Sequence, residues 1–205
     1  AALQQALRLA GIDPNQLNVA VRLGSNEAVR QAALNGFGAA FLSQISIQQE
    51  LEDVPRFRTQ YRTTAYTEGW GLYSEWLAKE MGGFEDPYSD FGRLGGEIWR
   101  AIRLVVDTGI HAFGWTRDRG VEFMESVGLP RTDAEIETDR YIAWPAQALC
   151  YKVGQRAIQR TRKAIEKRDG DKFDIKSFHD HAIGHGQIPL PVFEAEMPNW
   201  VKPTA

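Results

Sequence analysis

A mainly α architecture is expected of this chain: a bundle of about five or six helices from Gln44 onward, with a small N-terminal α/β-like arm. Three features point there. From Gln44 on, apolar residues recur at helical spacing, as in Phe91, Leu94, Ile98, Ile102 and Val105. Gly and Pro punctuate those runs at Pro55, Gly82-Gly83, Gly170 and Gly184. The first 43 residues hold no Trp, Tyr or His and mix short helix-like and strand-like runs.

The arm, residues 1–43, begins with "ALQQALRLAG", a short amphipathic helix ending at Gly11. "LNVAVRL" and "GAAFLS" are strand candidates, and "GSNEAVRQAALNG" is a helix between them, with Ser25 or Asn26 as N-cap. An isolated pair of strands is marginal. In residues 44–205, "QISIQQELEDV" should end at Pro55. A helix follows from Thr64 to Met81, another from Ser89 to Val106, and a shorter one after Thr116. Thr132 and Glu135 form a T-x-x-E capping box. It opens a long helix toward Arg168 that stops at Gly170, with Pro145 inside it. A last helix runs from Asp174 to Gly184 or Gly186, and "IPLPVFEAEMPNW" closes the chain.

Composition excludes several function classes. The 205 residues carry a net charge of -3, so the footprint of a nucleic-acid binder is absent. No window approaches the ~20 apolar residues of a membrane span. The N-terminus has no basic, apolar and cleavage regions in the order of a signal peptide, so a cytoplasmic location is expected. It also lacks an initiator Met, as a processed or incomplete chain would. The single cysteine, Cys150, has no disulfide partner and sits in an apolar run that marks it as an inert core residue.

Four stretches carry candidate chemistry. In "YTEGWGLYSEW", Glu68, Leu72 and Glu75 share one helix stripe among Trp70, Tyr73 and Trp76. A carboxylate among aromatics is costly to bury without a partner. Gly69 and Gly71 each cost a helix about 1 kcal/mol relative to Ala, but their lack of bulk admits a second backbone or a metal-bearing helix. Packing alone is the competing reading of this stripe. In "RAIRLVVDTGIH", Arg103 and Asp107 stand at i, i+4 and can pair, and His111 falls just past the expected helix end. In "TDRYIAWPAQALCY", Pro145 predicts a kink at Arg140–Tyr141 that turns an Arg and a phenol toward a cleft. A phenol suits donation to a developing oxyanion; a tolerated proline kink is the alternative. In "FHDHAIGHG", His181 and His185 have ligand spacing, but the sequence is H-A-I-G-H and lacks the glutamate of H-E-x-x-H.

From Gln44 to the C-terminus the chain resembles the domain-of-unknown-function 885 family of bacterial proteins, themselves similar to gluzincin-type zinc metallopeptidases. The resemblance rests on "ELEDVPRFR", "YTEGWGLYSEWLAKEMG", "RLVVDTGIHAFGW", "RYIAWPAQALCYKVG" and "FHDHAIGHGQIPLP". It implies a helical metallopeptidase domain whose C-terminal part this is. It also implies that Glu68 is the third zinc ligand, that Tyr141 stabilises a tetrahedral intermediate, and that Arg140, His111 and His179 line the cleft. Residues 1–43 resemble a fragment of the effector-binding domain of LysR-type regulators, which makes the chain a fusion with its seam near Ser43-Gln44.

One departure governs the functional expectation. The family's H-E-x-x-H-type segment precedes the stretch equivalent to "ISIQQELEDV", where this chain reads "AALNGFGAAFLSQ". All four histidines lie at or after His111. Glu68 is then a vestigial single ligand, no cofactor is expected, and the chain is a non-catalytic remnant acting as a binding or assembly module. It would form a homo-oligomer through the groove left by the missing helices, or take up a peptide or apolar small molecule. The alternative is a zinc-dependent peptide hydrolase whose missing ligands come from a partner chain or from His179, His181 and His185.

Overall fold

Helix α1, Thr64–Glu80, carries the densest aromatic stretch of the chain and ends in the Met81-Gly82 turn, where Gly82 takes a positive φ of 80°. The computed structural model describes Phe57 and residues 61–204. The N-terminal arm, its strands, the seam and the helix before Pro55 all lie outside the described residues.

Helix α2, Pro87–Phe113, starts on Asp86, whose side chain accepts from the Ser89 N–H at 2.8 Å, and Pro87 suits the first turn. It is longer than the Ser89–Val106 expected. The cap lies upstream of Ser89, and Gly109 does not stop the helix. Gly114 does, in the left-handed region at φ 65°. His111 therefore sits in the last helical turn, not past it. Helix α3, Arg117–Ser126, follows Thr116 as expected, and Thr116 caps it, its hydroxyl accepting from the Arg119 N–H at 3.2 Å.

Two sequence expectations fail next. Helix α4, Arg131–Ala143, is capped from Pro130 with no side-chain cap bond, so Thr132 is already inside it and no capping box forms. The single kinked helix across Pro145 is two helices. Trp144 leaves the helical region at φ -136°, ψ 75°, consistent with the bar on α conformation before proline, and Ala146 turns left-handed at φ 65°. A 3-10 turn at Gln147–Leu149 then leads into α5, Cys150–Asp169.

Helix α6, Ile175–Gly184, starts on Asp174 as expected, and α7, Leu190–Trp200, adds a helix where the sequence showed only a closing segment. Pro189 and Pro191 begin α7, and its Phe193 and Met197 are buried.

The helices form two cores. Tyr66, Tyr73, Ile158, Ile165, Phe178 and Phe193 belong to one, built by α1, α5, α6 and α7. Ile102, Val106, Val121, Met124, Ala134 and Tyr141 belong to the other, built by α2, α3 and α4. Helices α1 and α5 meet backbone to backbone at Gly69 and Gly154. A Cβ on Gly69 would overlap the Gly154 backbone, and one on Gly154 would overlap the Ala65 carbonyl. The small-residue expectation for Gly69 is met, with α5 as the approaching helix. Gly71 has nothing within 4 Å of its would-be Cβ among the described residues.

Candidate functional site

The site is built where the α4–α5 break faces the second half of α2. Asp107, on α2 and nearly fully buried, accepts the Ala146 N–H at 3.1 and 3.3 Å. A non-glycine residue in the left-handed region costs roughly 1–2 kcal/mol, and this charge-assisted bond holds it. Burial raises the Asp107 carboxyl above its usual range. The Ala146 N–H and the charges of His111 and Arg140 offset part of that. The Arg103–Asp107 pair does not form. Arg103 instead reaches across to α4, donating from Nε to the Tyr141 hydroxyl at 3.1 Å and from Nη2 to Glu137 Oε2 at 3.2 Å.

Glu137 is the hub. It accepts the Tyr141 hydroxyl at 2.6 Å and the Arg140 guanidinium at 2.8 Å. Burial alone would raise its carboxyl. The bonds from Arg140 and Tyr141 and the charges of Arg103 and Arg140 bring it below the usual range. Arg140 also donates to Gln147 Oε1 at 2.7 Å. The Tyr141 ring is fully buried, and burial, reinforced by Glu137, pushes its phenol far above normal. His111 donates from Nε2 to the Tyr141 carbonyl at 2.9 Å. Arg140, Tyr141 and His111 thus share one network. Sequence reasoning missed Glu137, although "ETDRY" places it one helical turn before both Arg140 and Tyr141.

Glu68 is half-buried on α1, and among the described residues no hydrogen bond or ion pair reaches it. No arginine or histidine among the described residues pairs with it. Its charge is felt at Cys150, the first residue of α5. Burial raises that thiol, and Glu68 and then Asp107 raise it further. Cys150 is half-buried at this site rather than enclosed in a core.

The remaining histidines lie elsewhere. His179 contacts the Tyr73 hydroxyl at 2.8 Å and packs edge-on to Trp70 and Phe178. His181 stacks on His185 at 5.9 Å between ring centroids, and His185 lies against Trp200. Among the described residues no group of three or more His, Cys, Asp or Glu converges as a metal site. Zinc fits this donor set poorly, since Glu68 belongs to no such group among the described residues and a structural or catalytic zinc needs about three or four ligands.

Residues 42–197 match the family model described as "Bacterial protein of unknown function (DUF885)". No curated protein matches the chain. A crystal structure of the "putative lipoprotein" from Colwellia psychrerythraea is similar at 42% identity with a TM-score of 0.73. The alignment covers 77% of this chain and 27% of that one, so this chain matches about a quarter of that protein's length. No described helix is long and apolar enough to cross a membrane.

Proposed function

Because the chain belongs to the DUF885 family of bacterial proteins of unknown function, we propose that its helical region is a metallopeptidase-like scaffold, non-catalytic as a single chain, that serves as a binding and assembly module. Glu68 carries this reading. It keeps the position that the resemblance assigns to a zinc ligand, yet among the described residues no group of His, Cys, Asp or Glu completes a coordination sphere there. A catalytic zinc needs about three protein ligands and an open position. The Glu137 network supports the same reading, since the Tyr141 hydroxyl proton is committed to a carboxylate. Under this proposal Tyr141, Arg140 and His111 frame the α4–α5 break, and the N-terminal residues 1–43 are a LysR-like fragment fused near Ser43-Gln44.

The test is metal content with activity. The purified chain should hold substoichiometric zinc after dialysis and should cleave no peptide from a mixed library with zinc added. Stoichiometric zinc together with cleavage lost in Glu68→Gln would overturn it.

A second reading is favoured by the same open carboxylate: a partner chain brings the two histidines and the general base to Glu68. Zinc uptake should then appear only on mixing with that partner and be lost in Glu68→Gln. Zinc that binds with equal affinity to the Glu68→Gln variant would exclude this role for Glu68.

A further inference from the structure

The end of α6 and the loop after it hold the start of α1. The Ala182 carbonyl accepts the Tyr66 hydroxyl. Gln187, nearly fully buried, accepts the Thr63 N–H at 2.6 Å and the Thr67 hydroxyl at 3.3 Å, both through Oε1. Its amide therefore stands at the N-terminus of α1. Nε2, on the same amide carbon, is buried there with no hydrogen-bonding partner among the described residues, and so is the Thr63 hydroxyl. The Thr63 and Tyr66 N–H groups are taken, by Gln187 and by the Thr63 carbonyl. Those of Thr64 and Ala65, the first two of the helix, have no acceptor among the described residues. No acid lies in the first turn, and Glu68, one turn further in, acts on Cys150. A buried amide N–H without an acceptor carries a desolvation cost that an incoming acceptor removes.

We propose that this terminus is a carboxylate-binding site, formed by the Thr64 and Ala65 N–H groups, the Thr63 hydroxyl and Gln187 Nε2. It goes beyond the scaffold reading above and does not depend on what Glu68 holds. Two independent features meet here. The start of a helix presents N–H groups and the positive end of the helix dipole to an anion. Gln187 adds a buried donor from a segment 124 residues away, and no described residue accepts it. The donors are all neutral, and the set holds no Lys or Arg, so nothing in it offsets a second negative charge. A singly charged ion therefore fits better than a phosphate dianion. A carboxylate has two oxygens with about four lone-pair sites, one for each donor of the set.

The probe is acetate, titrated into the full chain against chloride at constant ionic strength and followed by proton–nitrogen NMR. The Thr64 and Ala65 N–H signals and the Gln187 side-chain NH₂ should move and saturate with a Kd of about 1 mM, within the affinity ceiling of so small an ion. The Ser89 N–H, already bonded to Asp86, should stay in place. Gln187→Glu keeps the acceptor for Thr63 and replaces the unpartnered donor with a like charge, so it should weaken acetate by about tenfold or more. Thr63→Val buries no charge and should weaken it by about fivefold. Helical circular dichroism confirms that both variants are folded. No saturable movement at Thr64 and Ala65, an equal response to chloride, or unchanged affinity in both variants would overturn the proposal. Two blocked peptides, one ending in a free acid and one in an amide, separate the sources of the carboxylate. Tighter binding of the acid than of acetate assigns a chain terminus, and equal binding assigns a small carboxylate. An amide that moves the same N–H groups as strongly as the acid would overturn both. Zinc content and peptide cleavage do not enter this readout. The site can therefore fail while the non-catalytic reading stands, and a zinc-loaded hydrolase that binds acetate here would show the reverse.

Discussion

Glu68 has no hydrogen-bonding partner among the described residues, so its effect is read at a neighbour. The neighbour is Cys150, whose thiol is raised by burial first and then by the carboxylates of Glu68 and Asp107. Thiolate is the reactive form, so this lone cysteine should alkylate slowly with iodoacetamide at pH 8. Glu68→Gln removes one opposing charge at constant size and should speed the reaction several-fold, whereas Glu68→Asp should keep it slow. An unchanged rate in Glu68→Gln would show that the carboxylate does not act on the thiol. The sequence singled out Glu68, Arg140, Tyr141 and His111 because each carries chemistry in a recognisable stretch. It mispaired Asp107 because that partner is a backbone N–H, 39 residues away, at a turn no pattern announces.

Between elements, the contact of α1 with α5 depends on two glycines that have no room for a methyl group. Gly154→Ala would drive a Cβ into the Ala65 carbonyl, and relief requires the helices to part. Overpacking of this kind costs about 1–3 kcal/mol. Gly71→Ala is the contrasting change. It lies inside α1 with open space around it, so it should gain up to about 1 kcal/mol from helix propensity. Thermal or urea unfolding should therefore move in opposite directions for the two variants. A Gly154→Ala protein as stable as the parent would mean that the helices do not meet there. The sequence flagged Gly69 and Gly71 together. It could not separate them, because which glycine faces α5 depends on the crossing, and Gly154 stands 85 positions from Gly69. The α4–α5 break was half legible. Pro145 marked it, but the left-handed turn at Ala146 depends on Asp107 from another helix.

At the scale of the molecule, helical periodicity and the Gly and Pro stops were enough to expect a mainly α bundle. They gave no hint of its two cores, which arise from pairings distant in the chain. The core of α1, α5 and α6 holds a polar junction: Arg162 donates to the Tyr73 hydroxyl at 3.2 Å, and that hydroxyl meets His179 Nε2 at 2.8 Å. With Arg162 a donor only, the phenol hydrogen is available to His179, which the junction accepts as neutral imidazole. Burial, then the charge of Arg162, lowers His179 from 6.5 to about 4, against a small opposing effect of Asp174. Burial likewise pushes the Tyr73 phenol up to about 12. Glu80 and Glu166 neutralise Arg162 from the other side. Because the folded pKa of His179 lies below the unfolded one, the unfolded chain binds more protons between the two values. Its contribution to stability is complete above about pH 6.5, falls as the pH drops toward 4, and changes no further below that. Glu137, held low, loses its contribution only below the ordinary carboxylate range, and Asp107, held high, acts in the opposite sense. The comparison that isolates His179 is therefore with His179→Gln, which retains an acceptor for Tyr73 but does not titrate. Urea unfolding at a series of pH values should show the parent losing stability from pH 6.5 to 4 while His179→Gln stays nearly flat across that window. Parallel curves for the two proteins would place the histidine in water rather than in the core.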